Sequence, residues 1–146
     1  MFSKPQFTEK EIADLHQAYG EAIYEVYYNG ETIQLLINRL NPKLDIILEE
    51  YHCTTWALVT AFNPYSQCLS TAENQQRHQS LIELVRSQNL AFIDAVGKDQ
   101  DEVWTPERSI FIMGIELQSA IALGNRFQQN AIVFGELGKL SKIGWL

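Results

Sequence analysis

Two short apolar runs, WALVTAF at 56–62 and SIFIMGI at 109–115, constrain the fold more than any other feature. Runs of this length make roughly 23 Å of strand but only about two turns of helix. Both read as interior strands of a sheet, and the unbroken apolarity of the second fits a strand buried on both faces. The segments around them alternate in type. From Thr8, with Glu11 three positions on as a capping box, Ile12, Leu15, Tyr19 and Ile23 keep helical spacing. IYEVYYNGETIQLLI then sets two β-rich runs around Asn29-Gly30, the dipeptide that best supplies the two positive φ angles of a tight hairpin turn. After Asn41-Pro42, Leu44, Ile47, Leu48 and Tyr51 define a short helix leading into the first apolar run.

A third helix follows that run, then AFIDAV as a strand, the acidic loop GKDQDEVWTPER, and the second apolar run. A fourth helix shows Leu117, Ala120, Ile121, Gly124 and Phe127 on its apolar face, and AIVFGEL and KLSKIGW close the chain as strands, with Gly138 at a turn. The expected architecture is α+β: one domain over residues 1–146, with about four helices packed on a mixed, mostly antiparallel sheet. No internal repeat or flexible linker argues for a second domain, and 146 residues suffice for one continuous core.

The charge balance narrows the partners. A formal charge of -7, with Lys and Arg scattered, repels a polyanion, so no nucleic-acid partner is expected. The start, MFSKPQFTEKEIADL, reads neither as a secretory signal nor as a transit peptide, and no apolar run reaches the roughly 18 residues of a spanning helix. A cytoplasmic protein without a membrane partner is expected. Cys53 and Cys68 lack zinc-finger spacing and are expected as two buried free thiols. No cofactor is called for.

The stretch from Thr60 to His78, TAFNPYSQCLSTAENQQRH, reads as a binding mouth: a strand empties into a polar loop and then into a helix whose first turns are polar. Ser70 with Glu73 forms a capping box that starts the third helix near Ser70 or Thr71. In that register Leu81 and Val85 face the core, and the same stripe continues back to Arg77 or His78 and then Asn74. A polar or anionic ligand, a nucleotide included, could sit at the helix N-terminus beside Asn63, Tyr65 and Ser66, with Arg77 neutralising charge. The competing reading gives the same residues local work: Asn63-Pro64 as a turn, Ser66 and Ser70 as caps, Asn74 and Arg77 on loop carbonyls. If the second apolar run lies antiparallel beside the first, Glu107 comes near Asn63 and becomes a carboxylate partner for Arg77.

Other motifs carry less. GELGKLS at 135–141 lacks the spacer of a phosphate-binding loop and reads as a turn. His16, His52 and His78 have no ligand spacing and read as surface or capping histidines; Glu49-Glu50 and Asp99, Asp101 and Glu102 read as solvated charge. Trp104 is either a core plug anchoring the acidic loop or an aromatic lid. A rival reading is an interaction module, a homodimer for instance, using a strand edge or the apolar tail Ile143, Trp145 and Leu146. A hydrolase or transferase using Glu107 or His78 as base ranks lower, because no activated nucleophile accompanies them.

Thr60-Ala61-Phe62-Asn63-Pro64-Tyr65-Ser66, the early helical Asn74, then Trp104, Pro106, Glu107 and Ser109, and finally Phe127-Gln128-Gln129-Asn130-Ala131 together resemble an uncharacterised bacterial family, domain of unknown function 3293. Phe62 stands where Trp is expected and Gln128 where Gly is expected, which calls a sharp helix-ending turn there into question. The resemblance implies no activity. It does imply that Thr60, Asn63, Ser66, Asn74, Glu107 and Gln129 belong to one constellation. In the binding reading, Gln129 would hydrogen-bond the ligand.

Overall fold

The hairpin at Asn29-Gly30 forms as the two residues require, with φ of 49° and 77°, joining β1 (Ile23–Tyr28) to β2 (Glu31–Leu35). The structure is a computed structural model that describes residues 2–100 and 105–146. Before the hairpin lies α1 (Glu9–Glu21), which has the expected Thr8–Glu11 capping box but ends before Ile23, already in β1. The order continues α2 (Pro42–Glu50), β3 (Thr55–Thr60), a 3-10 turn at Pro64–Ser66, α3 (Thr71–Ser87), β4 (Ala91–Lys98), β5 (Glu107–Met113), α4 (Leu117–Arg126), β6 (Ala131–Glu136) and β7 (Lys142–Trp145). The seven strands form one sheet in the order β2-β1-β4-β5-β3-β6-β7, antiparallel throughout. This is the expected α+β fold.

The two apolar runs are neighbours at the centre of the sheet, paired Trp56↔Met113 through Thr60↔Ser109. Side chains alternate across a strand, so each run feeds two cores. On one face Trp56, Leu58, Phe111 and Met113 pack with Tyr24, Val26 and Leu35 under α2, through Leu44, Ile47 and Leu48. On the other, Ala57, Val59, Ile110 and Ile112 pack under α3 and α4, through Leu81, Val85, Ala120 and Leu123. Burying a side chain of this size contributes about 1.5–3 kcal/mol, and both cores run the width of the central strands. α1 differs. None of its residues is buried; His16 stacks on Trp145 at 4.2 Å and Tyr19 meets the same ring edge-on at 5.3 Å. No described helix is long and apolar enough to cross a membrane.

Cys53 is half-buried, but Cys68 is exposed, contrary to expectation, because it lies in the polar loop ahead of α3 rather than in a core.

Candidate functional site

The loop leaving β3 is built from backbone that apolar residues avoid. Asn63, Tyr65 and Ser66 all have positive φ, at 47°, 49° and 62°, a region that costs most L-residues roughly 1–2 kcal/mol. Side-chain bonds hold it. Asn63 Oδ1 accepts from Leu69 N at 3.1 Å and Asn74 Nδ2 at 2.9 Å, its own N–H donates to Asn74 Oδ1 at 2.9 Å, and its Nδ2 donates to Glu107 Oε2 at 2.8 Å. Asn74 reaches it from the first turn of α3, whose N-cap Ser70 and Glu73 form the expected capping box. Thr60 Oγ1 donates to Arg108 O at 2.6 Å and accepts from Phe62 N at 3.1 Å, closing the end of β3 onto β5.

Arg77 and Gln129 stitch the same loop to the end of α4. Arg77 Nε donates to Ala61 O at 2.7 Å, and its Nη2 donates to Phe127 O and to Gln128 Oε1. Gln129 Nε2 donates to Phe62 O at 3.0 Å and Phe127 O at 3.1 Å. The sharp turn that Gln128 brought into question does form. Gln128 takes φ 52° where glycine is favoured, Gln128 N bonds Asn125 O, and Gln129 N bonds Gly124 O, the paired bonds of a Schellman stop. Arg77 forms no ion pair with Glu107 among the described residues. Its donors point at carbonyls on the α3–α4 side, whereas Glu107 shares the opposite face with Phe111 and Met113, two and three alternations along β5. Burial lowers the Arg77 pKa.

A different set of groups shares that opposite face. Tyr24, Gly97 and Glu107 lie in one row across β1, β4 and β5. Gly97 leaves the room that Tyr24 occupies, since a Cβ there would come within 3.2 Å of its ring. Ser109 follows Glu107 on the same face and donates to its backbone carbonyl at 3.2 Å. From the loop, Ser66 Oγ accepts from Asn130 Nδ2 at 2.9 Å, and Asn130 Nδ2 also lies 3.5 Å from the Tyr19 hydroxyl of α1. Asn130 Oδ1 is buried with no partner among the described residues.

The electrostatics of this corner follow from burial without a counter-ion. Burial pushes the Glu107 carboxyl up to about 7, against the opposing pull of the Asn63 bond. Burial also raises the Tyr19 and Tyr24 hydroxyls, and the nearby Glu107 adds to both. The charged residues closest in sequence face away: Lys98 pairs with Glu25 at 3.0 Å, and Arg108 Nη1 donates to Gln75 on α3 at 3.0 Å.

The seven expected residues are therefore brought together, in two roles. Asn63, Asn74, Arg77, Thr60 and Gln129 spend their bonds on the loop itself, while Ser66 and Glu107 face the corner. Tyr19, Tyr24 and Asn130 join that corner although they were not singled out as binding residues; only the antiparallel register could have found Tyr24. For His78 the sequence leaves two places open, the inward stripe that it or Arg77 continues and a surface or capping position, and the structure takes the first. His78 is 2% exposed, with neither ring nitrogen partnered among the described residues and its ring edge-on to Phe62 at 6.1 Å, because the α3 stripe carries it into the second core. Trp104 lies outside the described residues.

Two shallow grooves flank Arg77, one of about 330 Å³ lined by Ser80, Leu84, Arg126 and Gln128, the other of about 280 Å³ beneath Phe2. Among the described residues no group of three or more His, Cys, Asp or Glu side chains could hold a metal ion. No curated protein and no solved structure matches the chain. Residues 59–132, the stretch that contains the loop, Glu107 and the α4 stop, match the family described as protein of unknown function (DUF3293), and the chain belongs to that family.

Proposed function

We propose that this chain is a binding module for a small polar ligand, received at the corner between Glu107, Ser109, Ser66, Asn130 and Tyr19, with the loop at 61–69 as its rigid wall. One observation carries the reading: two polar side chains at one place are short of partners. Among the described residues the Glu107 carboxylate accepts a single bond, from Asn63, and Asn130 Oδ1 accepts none; both groups neighbour the Tyr19 hydroxyl, which Asn130 Nδ2 approaches at 3.5 Å and whose pKa the Glu107 charge raises. Buried polar atoms are ordinarily paired, since leaving one unpaired costs about 1–3 kcal/mol. A ligand that donates to Asn130 Oδ1 removes that cost, and the half-buried Glu107 carboxylate offers it a second acceptor. α1 supplies Tyr19 to this corner, and its His16 and Tyr19 rings pack on Trp145.

An anionic ligand, a nucleotide for example, finds less support. Arg77 would have to release loop carbonyls to meet it, and the grooves beside Arg77 are walled by groups that already have partners or lie open to solvent. Native mass spectrometry of gently purified protein tests the proposal. A small molecule should accompany the wild type and be lost in the Glu107→Gln, Ser66→Ala double variant. A molecule retained undiminished by that folded variant would refute the assignment.

A further inference from the structure

We infer that the group received at this corner is a protonated amine or amidine. The inference rests on the binding reading above and names its ligand class. Glu107 is the carboxylate of the corner, and no described cation meets it: Arg77 turns to the loop carbonyls, Arg108 and Lys98 lie on the opposite sheet face with Gln75 and Glu25, and Lys4 Nζ donates to Leu146 O at 2.6 Å. The surrounding polar atoms have acceptor capacity to spare. Asn130 Oδ1 has no donor, and the oxygens of Ser66, Ser109 and Tyr19 each retain lone pairs. An ammonium carries three donors and an amidinium a planar set, so either can bond a carboxylate and an amide oxygen together.

The walls fit the same class. Tyr24 stands in the row with Glu107, and Tyr19 lies near enough for the Glu107 charge to raise its hydroxyl. Aromatic faces next to a carboxylate attract cations through the ring quadrupole. A net charge of -7 favours their approach. An anion would meet the Glu107 charge, and a neutral alcohol would satisfy Asn130 while leaving that charge without a counter-ion.

Binding a cation requires ionised Glu107, so below neutral pH each binding event expels a proton. With the carboxyl titrating at about 7, affinity should fall about thirtyfold between pH 8 and pH 5.5. The phenols of Tyr19 and Tyr24 stay protonated across that range because burial raises them.

The test uses ethylammonium and acetamidinium as probes, with ethanol and acetate as controls, followed through the side-chain amide resonances of Asn63 and Asn130 in ¹⁵N-labelled protein. Saturable shifts with the two cations, weakening at low pH and abolished in Glu107→Gln, are expected. Equal or tighter saturation by acetate or ethanol would overturn the cationic assignment while leaving a polar-ligand site standing. No saturable shift with any probe up to about 0.1 M, where even a Kd of 10 mM would register, would overturn the cationic assignment too; if native mass spectrometry then finds no bound molecule, the binding reading falls with it.

Discussion

Replacing Glu107 by Gln should stabilise the protein, by an amount set by pH. The carboxyl moves from 4.5 to about 7 on folding, chiefly through burial. Well below 4.5 the group is protonated folded or unfolded, and burial costs no charge. Between 4.5 and 7 the native state holds a proton that the unfolded chain has released, so stability falls as pH rises, by up to about 1.4 kcal/mol per pH unit. Above 7 the loss levels off, at about 3 kcal/mol from the full shift, or about 2 allowing for partial solvent contact. Gln keeps the shape and an oxygen for Asn63 Nδ2 but never ionises. Urea denaturation of both proteins at pH 5 and pH 8 reads the difference: the variant should lead by less than about 1 kcal/mol at pH 5 and by about 2–3 kcal/mol at pH 8. A gap that does not change with pH, or a variant less stable than wild type at pH 8, would refute burial as the source of the Glu107 shift.

Asn63→Ala removes the bonds to Leu69, Asn74 and Glu107 from a left-handed residue and should cost about 3 kcal/mol, with Asn63→Gly about 1 kcal/mol milder because glycine accepts the positive φ; thermal melts showing the two equal would remove the backbone from the account. Gly20→Ala meets nothing within 4 Å in α1, so it should raise helix stability by up to about 1 kcal/mol, seen as slower amide exchange confined to α1 and little change in Tm. Slowing that spread through the sheet would mean α1 opens only with the whole fold. His78→Leu removes two nitrogens that have no partner among the described residues and whose pKa burial and Arg108 lower, against the pull of Asp94. The wild type should lose stability as pH falls below the ordinary imidazole value of 6.5, where the unfolded chain takes up a proton, and the variant should gain on it by about 1 kcal/mol between pH 7.5 and 5. Parallel Tm profiles would exclude His78 as the source.

Much of this was legible from short-range pattern. The Asn29-Gly30 hairpin and the two capping boxes depend on residues no more than three apart, and the apolar runs state their own burial. The loop constellation was legible too, because Asn and Ser at positive φ are recognisable by type. Which way each side chain turns was not. Arg77 and Glu107 read as a plausible ion pair until the register Thr60↔Ser109 and the membership of Phe111 and Met113 in the first core put them on opposite sides. Tyr24 enters only through two successive pairings, Tyr24↔Gly97 and Gly97↔Glu107, and no local motif encodes a cross-strand row. His78 was left undecided for a related reason: helical spacing made Arg77 and His78 both eligible for the inward stripe, and one step of about 100° decides between core and loop.

The same alternation bears on catalysis. An acid–base pair needs its members within hydrogen-bond reach of one reacting group, yet Glu107 projects from the face under α1 while His78 sits beneath α3 on the other, where Arg108 and Asp94 influence it. The central strands lie between them, so the two cannot share a substrate. Of the two, Glu107 has the pKa suited to proton transfer near neutrality, but a general base also needs an electrophile or nucleophile poised beside it. Its described neighbours are an amide, hydroxyls and aromatic rings, groups that on the proposed reading would hold a ligand by acceptors and faces. Asn63, Asn74, Arg77 and Gln129 use their side-chain donors to lock the backbone at 61–69, and on the proposed reading a wall so fixed would reduce the entropy lost when a small ligand docks against it.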